Sequence, residues 1–155
     1  MQALAEMTLV MIQTKNLAFS YNGKANFNFP DISLNSGEVL LITGGSGKGK
    51  TTLLHLLGGL LKAQSGSIRI GDVNIETLSN KNLDKFRGKN IGLILQQSHF
   101  VEAFSVFENV VLSSWLATGR KADEKAKLLL AELGLSDQIH KLTSRLSIGQ
   151  QQRVS

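Results

Sequence analysis

Gly44-Gly45-Ser46-Gly47-Lys48-Gly49-Lys50-Thr51 stands between one apolar stretch, Val39-Leu40-Leu41-Ile42, and another, LLHLLGGLL at residues 53–61. These eight residues fit the pattern G-x-x-x-x-G-K-[ST], and the flanking stretches read as the strand before such a loop and the helix after it. A polyphosphate needs this arrangement. Glycines let the backbone curl so that successive N–H groups point inward, and a helix N-terminus adds roughly half a positive charge facing the anion. Lys50 is placed to neutralise β- and γ-phosphate oxygens. Thr51 offers a hydroxyl to Mg²⁺, which keeps several of its waters and bridges nucleotide phosphates. A glycine-rich turn that merely joins a strand to a helix has no need of the lysine and hydroxyl that follow it here.

Outward from this loop, the chain of 155 residues carries 17 Lys+Arg against 12 Asp+Glu and no Cys, so one domain is expected and disulfides and thiolate metal sites are excluded. Hydrophobic residues at 42 % and charged residues at 19 % suit a globular chain with a core, and exclude a disordered or coiled-coil one. The net charge of +5 permits an anionic ligand, but the lysines are scattered and read as a solvated basic surface, with no nucleic-acid partner indicated. No stretch reaches the roughly 18 apolar residues of a membrane span, and Met1 to Ile12 lacks the basic head and cleavage site of a secretory signal. A cytoplasmic location is expected. Met11 is an alternative start, which would leave residues 1–10 as an extension without structural role.

Alternating or β-branched apolar residues predict extended segments at residues 11–21, 26–34, 38–43, 67–70 and 91–95. Helices are predicted at residues 51–61, 83–87, 106–116 and 122–133, the last ended by Gly134. Residues 128–132, LLLAE, could be mistaken for a strand presenting a metal-binding carboxylate. Their strong helix formers, with no β-branched residue among them, assign them to an amphipathic helix instead.

Four motifs in order resemble the ATP-binding cassette (ABC) ATPases over nearly the whole chain: Tyr21 in LAFSYNG, the loop through Thr52, Gln96 closing IGLILQ, and Leu146-Ser147-Ile148-Gly149-Gln150 followed by Gln151-Gln152-Arg153. The resemblance implies an α/β fold: a P-loop NTPase core, an antiparallel β subdomain and a helical signature subdomain, incomplete at the C-terminus. It implies ATP and Mg²⁺ as ligands, with Tyr21 stacking on adenine. Gly44, Gly45, Ser46, Gly47, Lys48, Gly49, Lys50, Thr51 and Thr52 would cradle the phosphates. Lys50 and Gln96 would be catalytic, Thr51 and Gln96 would face the metal, and Ser147, Gly149 and Gln150 would touch ATP held by an opposing subunit. Apart from the resemblance, Tyr21 reads as a strand-end aromatic packing on the core edge, and Ser147 with Gln150 as a capping box that starts a helix. Both readings of Ser147 can hold together.

Two residues depart from the family pattern. Lys48 either adds a second positive charge or points outward. Ile148 replaces a signature glycine, and a β-branched residue resists positive φ, so the motif is damaged if that backbone needs a left-handed conformation. The segment LDKFRGKNIGLILQ at residues 83–96, with Phe107-Glu108-Asn109 after it, resembles the lipoprotein-releasing and macrolide-exporter branch. Lys85, Arg87 and Lys89 also suit a solvated helix end. His55, His99 and His140 show no metal spacing.

In the family the signature helix leads into a strand ending in Asp-Glu and then a switch histidine, and residues 1–155 contain neither. The expectation is therefore a partial ABC ATP-binding domain, residues 1–155, with the phosphate grip but without the carboxylate that activates water. Residues 38–43 would also lack their two parallel neighbours, and this chain alone would be poorly folded and would not turn over ATP. In complete form the resemblance implies an ATPase subunit of an exporter, peripheral on the inner face of the membrane, working with a second ABC subunit and a membrane permease. A nucleotide-binding fragment without hydrolysis and a soluble ABC ATPase without a transport role are the alternatives.

Overall fold

A computed structural model describes residues 10–21, 25–95 and 98–155, leaving aside the side chains of Val10 and Ala25. The chain forms two compact units that divide after Leu83.

The first unit is built on strand β1 (Val10–Tyr21), whose length lets it carry three antiparallel partners. β2 (Ala25–Asn28) returns along its end with Phe27 opposite Phe19, and β3 (Ser33–Asn35) pairs with its start. The single extended segment predicted at 26–34 is thus two strands. Pro30 between them has no N–H for a ladder. Buried Thr14 ties the crossing to β1, its N–H donating to the Ile32 carbonyl at 2.9 Å and its hydroxyl accepting from the Ile32 N–H at 2.9 Å. On its other edge β1 pairs with β4 (Ser65–Ile70), and β5 (Val73–Asn74) closes the sheet. Leu17, Ile68 and Ile75 are buried here, as are Leu53 and Leu56 of helix α1 (Lys50–Leu57). The first strand begins at Val10, which pairs with Asn35, so a start at Met11 would remove a ladder residue rather than a spacer.

The β1–β4 register shifts between Lys15 and Ala18, where Asn16 takes φ 48 and its N–H donates to the Asp31 carboxylate at 2.8 Å. Gly66 fills this bulge: a Cβ there would lie 2.4 Å from the Asn16 carbonyl oxygen.

The second unit carries α3 (Val106–Thr118), α4 (Asp123–Glu132) and α5 (Ile148–Val154), and α2 (Asn80–Asn90) leads into it. Val106, Leu130, Leu135 and Leu146 form its core, with Phe107, Val110, Ile139 and Val154 packed against them. Residues 128–132 are helical, as their composition requires.

Two expected strands do not form. Residues 38–43 and 91–95 join no ladder among the described residues. Val39 is 95 % exposed and Leu41 82 %, and Ile94 is 81 % exposed. Apolar alternation gives a segment the capacity to pair, but a strand exists only where a neighbour accepts its N–H groups. Helix α1 also stops earlier than its apolar run suggests, because the chain turns at Gly58-Gly59, with the Leu60 N–H bonded back to the His55 carbonyl at 2.8 Å. No described helix is long and apolar enough to cross a membrane.

Candidate functional site

The loop from Gly44 to Gly49 turns at Ser46-Gly47 and delivers the chain into α1 at Lys50. Gly49 is the N-cap, in the left-handed region at φ 86, and no side chain caps the helix. Its first-turn N–H groups therefore have no partner within the helix and face outward at the positive end of the dipole. No acidic residue stands in that first turn.

Lys50 folds back over the loop it follows. Its Nζ donates to the Gly44 carbonyl at 2.7 Å and the Gly45 carbonyl at 2.8 Å, which leaves one of the three ammonium protons for a ligand. The charge is thereby pinned at the centre of the curl rather than swinging on a free stem. A cavity of about 280 Å³ opens here, lined by Phe27, Ser46, Gly47, Gly49, Lys50, Thr51 and Thr52. Its donors are amides, an ammonium and hydroxyls, with no carboxylate among the described residues, which is the donor set a polyphosphate requires. The Thr51 side chain is exposed at the cavity and the Thr52 side chain is buried. Lys48 is exposed, with its Cγ 4.0 Å from where a Gly45 Cβ would stand.

Tyr21 comes to the same place from the end of β1. Its hydroxyl lies 3.4 Å from Thr52 Oγ1, and its ring, 46 % exposed, meets Phe19 edge-on at 4.7 Å and Phe27 edge-on at 6.3 Å. It is thus both a packed strand-end aromatic and a solvent-facing ring beside the loop. Phe27, not singled out in the sequence, is the further residue at this site: a Cβ on Gly49 would lie 2.6 Å from its Cδ1. Phe27 also stacks on Phe29, centroids 6.1 Å apart and planes within 8°. The alternation Asn26-Phe27-Asn28-Phe29 signals one shared face, but only the hairpin register turns that face toward the loop.

The signature residues lie in the second unit. Ser147 caps α5, its hydroxyl accepting from the Gln150 N–H at 3.2 Å while the Gln150 side chain accepts from the Ser147 N–H at 2.9 Å. The capping-box reading is therefore realised. Ile148 is the first helical residue, 77 % exposed, and has no positive φ; nor has Gly149. The substitution of isoleucine for glycine strains nothing in this backbone. Gln151 donates to the Thr143 carbonyl at 3.1 Å, and Arg153 donates to the Leu133 carbonyl at 2.9 Å, so the QQR run anchors α5 to the segments around it. Gln96 lies outside the described residues.

Residues 27–155 match the family model for ABC transporters. The chain belongs to the ABC transporter family. Among ABC relatives, the lipoprotein-releasing system ATP-binding protein LolD 1 of Chlorobium luteolum is 44 % identical over 132 residues, 81 % of this chain and 56 % of that protein. LolD 2 of Chlorobium chlorochromatii is 38 % identical, covering 96 % of this chain and 67 % of its own length. The macrolide export ATP-binding/permease protein MacB of Burkholderia thailandensis is 41 % identical over 80 % of this chain and 19 % of its own. This ABC chain thus spans between about half and two thirds of the LolD proteins it matches. The structure resembles the dimeric bacterial ABC transporter cassette MJ0796, with a TM-score of 0.79 and 30 % identity over 93 % of this chain and 66 % of that one. A second MJ0796 dimer, in a post-hydrolysis state bound to ADP and Pi, gives 0.78. The fold class is therefore that of a P-loop NTPase cassette, with its antiparallel sheet and helices in place.

Proposed function

We infer that the chain is the ATP-binding part of an ABC exporter ATPase of the lipoprotein-releasing or macrolide-exporting branch. The observation that carries this reading is the cavity at the start of α1, where Lys50 is pinned over Gly44 and Gly45 and no carboxylate intrudes among the described residues. First-turn amides and the Lys50 ammonium bind and orient the phosphates of ATP, and Tyr21 offers an exposed ring to the base. Thr51 and Gln96 would hold Mg²⁺, which would supply charge neutralisation to the phosphates. Ser147, Gly149 and Gln150 serve the second nucleotide of a head-to-tail pair of cassettes. In the complete protein, hydrolysis at that paired interface drives a membrane permease, and the subunit sits peripherally on the inner face of the membrane.

A narrower reading, nucleotide binding without turnover, is supported by the cavity lining, in which no Asp or Glu stands among the described residues to accept a proton from water. ATP titration of the purified chain and its Lys50→Ala variant tests the common core. Lys50→Ala is expected to weaken ATP at least about tenfold, the order of one charge-assisted hydrogen bond. Unaltered affinity overturns both readings, while phosphate release well above background from the chain itself overturns the narrower one.

A further inference from the structure

We propose that Phe27 is a positioning residue of the phosphate loop, a brace that holds the Gly49 N-cap in its left-handed conformation so that the first amides of α1 converge on a polyphosphate. The proposal rests on the ATP-binding reading above and adds a part that neither the loop motif nor the base-stacking tyrosine supplies.

The Phe27 ring occupies the space a Gly49 side chain would take, with Cδ1 and Cε1 2.6 and 3.0 Å from an ideal Cβ, and Phe29 behind it at 3.3 Å. Gly49 has φ 86 and no side-chain cap; the Leu53 N–H holds its carbonyl at 2.8 Å, which ties the helix side of the residue and leaves its left-handed φ to be held by what packs on its Cα. A glycine in that region pays no steric penalty for leaving it, and its freedom must be restrained from outside. Phe27 is set for this from both sides: it lies opposite Phe19 in the antiparallel register, stacks on Phe29, and receives the Tyr21 ring edge-on at 6.3 Å. The same ring lines the cavity beside Ser46, Gly47 and Lys50. Its action is therefore on the amides, and through them on the phosphates, rather than on the base.

This separates Phe27 from Tyr21 by experiment. Binding of ATP and of inorganic tripolyphosphate, which has no base, is measured by calorimetry for the whole chain and for Tyr21→Ala, Phe27→Ala and Phe27→Leu. Phe27→Ala is expected to weaken both ligands by the same factor, about tenfold, as when one charge-assisted hydrogen bond is lost. Phe27→Leu, which refills the space, should return both to within about threefold of the parent. Tyr21→Ala should weaken ATP by a larger factor than tripolyphosphate, whereas Phe27→Ala weakens the two alike. Should Phe27→Ala not fold, by its circular dichroism, Phe27→Val replaces it, with about fivefold weakening of both ligands, beyond the range set for Phe27→Leu. Tripolyphosphate affinity unchanged in Phe27→Ala or Phe27→Val overturns the proposal, as does Phe27→Leu binding no better than Phe27→Ala. Lys50→Ala stands as the control: if it too leaves ATP binding intact the ATP-binding reading has failed, whereas loss in Lys50→Ala with none in Phe27→Ala removes the brace alone.

Discussion

At the scale of single residues, two glycines with the same backbone requirement differ in what surrounds them, and the difference sets what each substitution costs. Gly49 at φ 86 faces the Phe27 ring, a side chain whose displacement is opposed by Phe29 and Tyr21 but costs less than moving paired backbone. Gly66 at φ 90 faces the backbone of Lys15 and Asn16, with carbonyl oxygens 2.5 and 2.4 Å from an ideal Cβ, and backbone in a paired strand cannot give way. Gly49→Ala should lower unfolding free energy by about 1–2 kcal/mol, the penalty of a left-handed alanine, and should weaken nucleotide binding as well. Gly66→Ala adds overpacking to the same penalty and should cost about 3 kcal/mol or more. Urea denaturation of the two variants checks the order; equal midpoints would remove the distinction. In the sequence only Gly49 is distinguishable, by its place before Lys50. Gly66 reads as an ordinary turn glycine, because the bulge it fills belongs to a partner strand about fifty residues away.

Among the elements, the helices that begin with a cap were the most legible part of the chain. Ser147 and Gln150 announce α5, and Ser105 and Glu108, not singled out in the sequence, cap α3 with the same S-x-x-[EQ] spacing, because capping is settled within four residues and needs nothing distant. The Glu108 carboxylate accepts from the Ser105 N–H at 2.8 Å and hydroxyl at 2.7 Å, and these bonds hold its pKa below the ordinary 4.5. A carboxylate with a depressed folded pKa adds stability above its unfolded value and loses it as pH falls through the folded one. The second unit should therefore lose stability as pH drops below 4.5, and Glu108→Gln should flatten that part of the profile in thermal melts. A profile of unchanged slope in the variant counts against the linkage. Ile148 gives a second check at this scale. As an exposed first helical residue without positive φ it carries no strain to relieve. Ile148→Gly should thus lower stability by about 0.5 kcal/mol through helix propensity alone, where a strained site would instead be stabilised. What was not legible is pairing. Residues 38–43 and 91–95 have the composition of strands, and Phe27 has that of an ordinary hairpin residue, but register and partner lie elsewhere in the chain.

For the molecule as a whole, the consequence is an uneven surface. The sheet of the first unit and the helical core of the second each bury a cluster of apolar residues, while Val39 and Leu41 before the phosphate loop and Ile94 after α2 are the most exposed large apolar side chains described, 81 to 95 % exposed in extended chain. Isolated surface hydrophobes are ordinary, but here they sit on segments whose backbone N–H and C=O groups join no ladder, the combination that recruits another strand. Burying Val39 and Leu41 on such a partner is worth about 2 kcal/mol apiece, which exceeds any restraint visible on residues 38–43 beyond the turn at Asn35 and Glu38, where the Asn35 N–H donates to the carboxylate at 2.7 Å. The chain of residues 1–155 should therefore bind a fluorescent apolar dye and associate increasingly with concentration, by sedimentation velocity. Val39→Lys with Leu41→Lys should reduce both, since two like charges on one strand oppose edge pairing, while leaving the Lys50 carbonyl bonds and hence nucleotide affinity in place. A parent chain that sediments as a monomer at every concentration and leaves the dye dark would mean that these residues are covered in solution.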